Sequence, residues 1–221
     1  MKFSIIYNLN ISHILLDCDQ QEEYCRLYYS IKSLRKYTNA EVIVYHDSKI
    51  PIEEFYYTPD KINFTKDFEN VRVRRAFDYG GDFINFVKVS SGKVDSELLF
   101  YLPTNSVFQN FSEDSMKFFD NGSAWKIGNY VNDILITKKS SIPIIESCEI
   151  EIIPESFFGY YTCYGEINHN NIHCCTNNSV VVYDPNYSES WIPSQFWNCT
   201  IKKRINNSLR NICHYCSRVI G

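Results

Sequence analysis

The sequence predicts one α/β domain built on a mixed, mostly parallel sheet flanked by helices. Three observations carry this expectation. A strand, an amphipathic helix and a second strand follow one another between Lys2 and Tyr45. Further short apolar, β-prone runs recur along the chain, and no internal repeat or low-complexity linker divides its 221 residues. A chain of that length fits one domain and buries roughly 70 to 75% of its unfolded surface, enough for a core without disulfides or metal.

KFSIIYN, Lys2 to Asn8, is short and apolar and reads as the first strand. His13 to Leu16 reads as a second strand or a continuation of it. From Gln20 to Lys36 the apolar positions Tyr24, Leu27, Tyr28, Ile31 and Leu34 recur every three or four residues, the period of an amphipathic helix. Thr38-Asn39 ends that helix. EVIVY, Glu41 to Tyr45, is a β-branched run of the kind buried in a parallel sheet. Together these form a βαβ unit with a right-handed crossover. Ligands of such sheets lie beyond the strand C-termini, here near Asn8 and His46-Asp47.

After a Pro- and Tyr-rich connection over residues 51–60, Asp78-Tyr79-Gly80-Gly81 marks a turn before a helix around Asp82 to Ser90. SELLFYL, Ser96 to Leu102, is another strand, stopped by Pro103. Strands are also expected at Ala124 to Gly128, Ile134 to Thr137 and Val180 to Tyr183. RVRR, Arg72 to Arg75, reads as a solvated basic face. The α/β domain is expected to run over residues 1–200. Beyond it, Ile201, Ile205, Leu209, Ile212, Cys216 and Val219 line one face of a basic helix over residues 201–221. That helix either closes the core or lies on an anionic membrane surface, with Lys202, Lys203, Arg204, Arg210 and Arg218 as its charges.

Composition narrows the classes. The net charge is -4, and because the tail is basic the rest of the chain is more acidic still, which argues against nucleic acid as a general partner. No stretch reaches the roughly 18 to 20 apolar residues of a membrane-spanning helix. The N-terminal residues break into Asn8 and Asn10 too early for a signal-peptide core, so the expected location is cytoplasmic or peripheral to a membrane. Nine cysteines are an odd number and no export signal accompanies them, so reduced thiols are expected. Many Asn, Ile, Lys, Tyr and Phe beside three alanines (Ala40, Ala76, Ala124) are what an A/T-rich coding sequence produces. That bias predicts a source such as a large DNA virus, a protist or a low-GC bacterium, and with a virus a place in the virion or the infected cell.

Four phrases in order carry a more specific signal: YCRLYYSIKSLRKYTNAEVIVYHDS (Tyr24 to Ser48), FINFVKVSSGKVDSELLFYL (Phe83 to Leu102), LPTNSVF (Leu102 to Phe108) and NDILITKKSS (Asn132 to Ser141). The first resembles the opening of the GT-A nucleotide-sugar glycosyltransferases, where a helix ending in a Ser-Leu phrase leads into the second strand. The second is similar to their helix and strand running up to an acidic motif. The third stands where they carry Leu-Asp-x-Asp-Thr. The fourth resembles a later phrase that usually begins Asn-Ser-Gly and contacts the acceptor. The match covers about residues 1–145.

The resemblance implies a GT-A-like fold and transfer of a sugar from a nucleoside-diphosphate donor to a hydroxyl acceptor. It implies donor contacts at Tyr7, Asn8, Asp47, Lys88 and Asn105, and catalytic, acceptor-side roles for Asn132 and Asp133. It also implies Mn²⁺ or Mg²⁺ held by the acidic pair, since hard divalent cations take carboxylate oxygens and offset charge on the leaving diphosphate. In this chain the acidic positions fall on Pro103, which has no ligand atom in its side chain, and Asn105. Three accounts stay open. The fold serves without catalysis, as a structural or interaction module with a protein partner; or cationic side chains, Arg72, Arg74, Arg75 and Lys88, hold the diphosphate; or Asp95, Glu97, Glu113 or Asp114 supplies the acids.

A late histidine often completes the metal site in the family, and His169 or His173 is the candidate here. Cys163, His169, His173, Cys174 and Cys175, with Cys213 and Cys216, lack the regular two-pair spacing of structural zinc. The surrounding Asn168, Asn170, Asn171, Asn177 and Asn178 predict an exposed loop.

Overall fold

A computed structural model of the chain describes residues 2–9, 18–48, 51–52, 63–78, 80–104, 106–108, 111–126, 134–154, 157–160 and 180–183. The βαβ opening is present as β1 (Phe3–Leu9), α1 (Cys18–Leu34) and β2 (Glu41–His46). Every residue of β2 is buried, as an unbroken apolar run requires of a strand covered on both faces. Helix α1 lays Tyr24, Leu27, Tyr28, Ile31 and Leu34 against the sheet, all buried. Just past its end, the guanidinium of Arg35 reaches the carbonyls of Thr38, Ala40, Glu69 and Asn70, tying the starts of two strands to the helix.

The chain continues through α2 (Phe64–Asp67), β3 (Val71–Arg75), α3 (Phe83–Ser91), β4 (Leu98–Tyr101), β5 (Ser106–Phe108), α4 (Glu113–Met116), β6 (Ala124–Lys126), β7 (Leu135–Lys138), β8 (Ile150–Ile152), β9 (Phe158–Tyr160) and β10 (Val181–Tyr183). Seven strands form one sheet in the order β3-β2-β1-β4-β7-β6-β8, and three form a second in the order β5-β10-β9. In the large sheet β1 pairs parallel with β2 and β4, β2 with β3, and β6 with β8, while β7 runs antiparallel to β4 and β6. This is the mixed, mostly parallel sheet with flanking helices that the sequence predicts.

Strand periodicity divides the core into two faces. On one, Ile5, Tyr7, Leu9, Val42, Val44, Leu98 and Phe100 pack under α1 and an aromatic group around Phe119, Trp125 and Phe157. There the Phe119 ring lies 4.7 Å from Phe157 and 5.0 Å from Trp125. On the other, Ile6, Ile43, Tyr45, Leu99 and Tyr101 pack under Phe86 and Val87 of α3 and under Ile142 and Ile145. Helix α3 starts where expected: Gly80 and Gly81 adopt φ of +66° and +73°, and the Asp82 side chain accepts the Ile84 N–H as N-cap at 2.9 Å.

One expectation is refined. RVRR forms most of strand β3, at the border of the sheet among the described residues: Arg72 and Arg75 are exposed, while Val71 and Val73 pack against the core and Arg72 pairs with Glu41. The Val-Arg alternation has the period of a half-buried strand, and its charge masked that signal. The proposed strand at His13 to Leu16, the boundary near residue 200 and the tail over 201–221 lie outside the described residues. Among the described residues no helix is long and apolar enough to cross a membrane.

Candidate functional site

The strand order fixes where a ligand fits. From β1 the chain moves to β2 and β3 on one side, and β4 then joins β1 on the other. The order therefore reverses between β1 and β4, and open α/β sheets bind ligands outside the carboxyl ends of the strands at such a point. The pairing of Ile6 with Tyr101 continues in a bond of 3.1 Å from the Leu102 N–H to the Ile6 carbonyl, which brings Pro103 level with Asn8. On the other flank Leu9 pairs with His46, so Asp47 follows directly at the same edge. The structure thus gathers half-buried Asn8, exposed Asp47, half-buried Pro103 and buried Thr104 at one end of the sheet. Strand β7 begins opposite Tyr101, so Ile134 enters it from this edge too.

The phrase that stands in the metal-motif position forms a turn, closed by a bond of 3.1 Å from the Ser106 N–H to the Pro103 carbonyl. The Thr104 hydroxyl donates to the Glu23 carboxylate, which also holds Arg26 at 2.9 Å. Glu23 is the acid that sequence reasoning missed. It sits on α1, far from the phrase in sequence, and only the packing of α1 beside the switch point brings it there. A divalent cation needs several oxygen ligands. Among the described residues no group of three His, Cys, Asp or Glu side chains is placed to hold one, so the described part of this turn does not fit the metal that the resemblance implies.

The remaining candidates divide clearly. Tyr7 is fully buried under α1, with its hydroxyl 2.7 Å from Ser30 Oγ and its pKa pushed up by burial, so its side chain belongs to the core and not to the strand-end edge. Lys88, on α3, bonds Glu146 at 2.9 Å. Asn105, Asn132, Asp133, His169 and His173 lie outside the described residues. Of the alternative acids, Asp95 and Glu97 precede β4 and so stand at the opposite edge of the sheet, where Glu97 accepts the Ser140 hydroxyl at 2.7 Å. Asp114 on α4 is exposed, and its carboxyl is held below the ordinary range by a hydrogen bond from Lys117. Glu113 lies in the same helix.

The four cationic candidates are sorted in the same way. Arg72 bonds Glu41 at 3.2 Å and Lys88 bonds Glu146, so both charges are already met. Arg75 is exposed at the end of β3. Arg74 is half-buried, with its Nε covered and lacking an acceptor.

No family model matches the chain, and no curated protein matches it. Solved structures of similar chain path include Staphylococcus aureus TarS residues 1–349 in complex with UDP-GlcNAc, at 11% identity and a TM-score of 0.48, covering 99% of this chain and 69% of that one. The galactosyltransferase LgtC in complex with donor and acceptor sugar analogs matches at 9% identity and a TM-score of 0.48, covering 96% and 98%. The bifunctional glycosyltransferase WbbM matches at 7% and 0.47, covering 99% and 51%. At these identities and TM-scores the likenesses carry no argument about this chain. The mixed, mostly parallel sheet with flanking helices rests on the strand order described above.

Proposed function

We propose that the chain is a glycosyltransferase-like protein that binds a nucleotide-sugar in the crevice beyond β1, β2 and β4. The observation that carries this reading is the switch point between β1 and β4, which puts Asn8, Asp47 and the Pro103–Ser106 turn at one edge. An Asp carboxylate and an Asn amide there supply acceptors and donors for the edge of a base and for ribose hydroxyls. Asn105, in the middle of the same phrase, and Asn132 and Asp133, which precede β7, belong to this proposal as donor and acceptor contacts by resemblance. TarS, whose chain path is similar, has been solved with UDP-GlcNAc and with UDP. With a sugar donor seated there, the reaction to be tested is transfer to a hydroxyl acceptor.

A second reading, a GT-A-like module that binds without catalysis, is favoured by Pro103, whose side chain brings no ligand atom to the switch point. Calorimetric titration of the full chain with UDP- and GDP-sugars, with Mn²⁺ and with EDTA, separates the two. Donor binding that strengthens with Mn²⁺, followed by release of nucleotide on adding a hydroxyl acceptor, supports the enzyme. Donor binding with no turnover supports the module. Silence across the whole nucleotide panel rejects both.

A further inference from the structure

Two buried donors on neighbouring strands have no acceptor. Tyr45, on β2, is 0% exposed and its hydroxyl has no partner; Arg74, on β3, is half-buried and its Nε has none. They are register partners on adjacent parallel strands, so both side chains leave the same face from backbones about 4.8 Å apart. Burial raises the pKa of the Tyr45 phenol, and the charge of Arg74 opposes that rise. The contrast with Arg72, two residues earlier on the same face, is direct: it has the Glu41 carboxylate, while among the described residues no acid pairs with Arg74. Buried polar groups are nearly always paired, and a missing ion is a standard cause of an exception. A cation beside a hydroxyl donor, both without acceptors, is complementary to an oxyanion.

We propose that Arg74 and Tyr45 form an oxyanion site that takes a phosphate or diphosphate group. The planar fork of arginine matches phosphate oxygens, and the phenol adds a neutral donor beside it. The site stands at the C-terminal half of β2 and β3, with Tyr45 on the strand next to β1 and Arg74 one strand further out, about 10 Å from β1. Phe77, half-buried, lies two residues past β3 and packs edge-on against the Tyr45 ring at 5.7 Å. The phosphate has two sources, a nucleotide whose other end lies in the crevice or free phosphate, and both present the same oxygens. The site does not depend on sugar transfer.

The test is calorimetric titration of the full chain with inorganic phosphate, pyrophosphate and UDP, for the wild type, Arg74→Gln, Tyr45→Phe and Arg72→Gln, with thermal unfolding recorded alongside. The expected result is pyrophosphate binding that is equal in the wild type and Arg72→Gln, weaker by about tenfold in Arg74→Gln and by about threefold in Tyr45→Phe. Loss of UDP binding in Arg74→Gln identifies a nucleotide as the source; loss confined to phosphate and pyrophosphate identifies the free ion. Pyrophosphate binding without any UDP binding supports this site while counting against the nucleotide-sugar reading. Equal affinities in the wild type and Arg74→Gln, or no binding of any of the three by a cooperatively unfolding wild type, overturns the site. If Arg74→Gln does not fold, Arg74→Lys takes its place, since it keeps the charge and removes the fork; affinity unchanged in that variant overturns the site equally.

Discussion

The two ends of the large sheet are finished differently. Where β1, β2 and β4 begin, Ser4 Oγ lies 2.7 Å from both Glu41 Oε2 and Ser96 Oγ, and Glu41 also holds Arg72. Nearby, Lys139 donates to the Val94 carbonyl, and Arg35 spans four carbonyls with only its Nε left over. Where the same strands end, the Tyr45 hydroxyl, Arg74 Nε and the Ser106 hydroxyl are covered and have no partner. One end is closed by its own hydrogen bonds; the other holds donors in reserve. Polar burial without pairing costs stability, and of these groups three unpaired atoms lie where the strands end and one, Arg35 Nε, where they begin.

The largest expected effect is alkaline. Burial raises the pKa of Tyr7, Tyr45 and Tyr101 above the ordinary value of 10. The folded state then keeps protons that the unfolded chain releases, so stability is intact below about pH 10 and falls as pH rises further. The loss reaches about 1.4 kcal/mol per pH unit for each tyrosine held protonated. Urea midpoints at pH 9 and pH 11 measure it, and Tyr45→Phe should remove the share of the one phenol that has no hydrogen bond.

Next in size is Glu41→Ala, which removes the buried bond from Ser4 and the ion pair with Arg72 at the closed end and should cost about 1 to 2 kcal/mol in urea unfolding while leaving ligand affinity unchanged. A sharper comparison applies one chemical change at both ends. Ser4→Ala should destabilise by about 1 kcal/mol, because it removes a made bond, whereas Ser106→Ala should stabilise by about 0.5 to 1 kcal/mol, because it removes a covered hydroxyl with nothing to bond. If both variants move the thermal midpoint in the same direction, the distinction between the two ends is wrong. Smallest is Lys88→Gln: its pair with Glu146 is open to solvent, so unfolding should shift by no more than about 0.5 kcal/mol.

Much of this fold was legible in the sequence. The apolar spacing of α1 and the run EVIVY report local periodicity, and the structure places both within two residues of the expected bounds. Strand β3 was missed because three arginines in five residues outweighed two valines in a reading by charge, although alternation was the better guide. Short strands such as β5 and β8 have too few residues to show a period. The candidate site was half legible. Asn8 and Asp47 follow from the rule that ligands lie beyond strand ends, while Glu23 reaches Thr104 across 81 positions of sequence, and no local pattern encodes that approach. Tyr7 shows the converse: it lies one residue before Asn8, but alternation along the strand turns its side chain into the core.

Strand β3 has a further consequence as the border of the sheet among the described residues. Its outer backbone groups are a template on which a strand from another molecule can add, and long apolar borders of this kind lead to fibrous association. Here a second copy arriving in register would bring Arg72 and Arg75, both exposed, against their own counterparts. Like charges at that spacing repel, and Arg75, which has no ion pair among the described residues, would oppose such an approach.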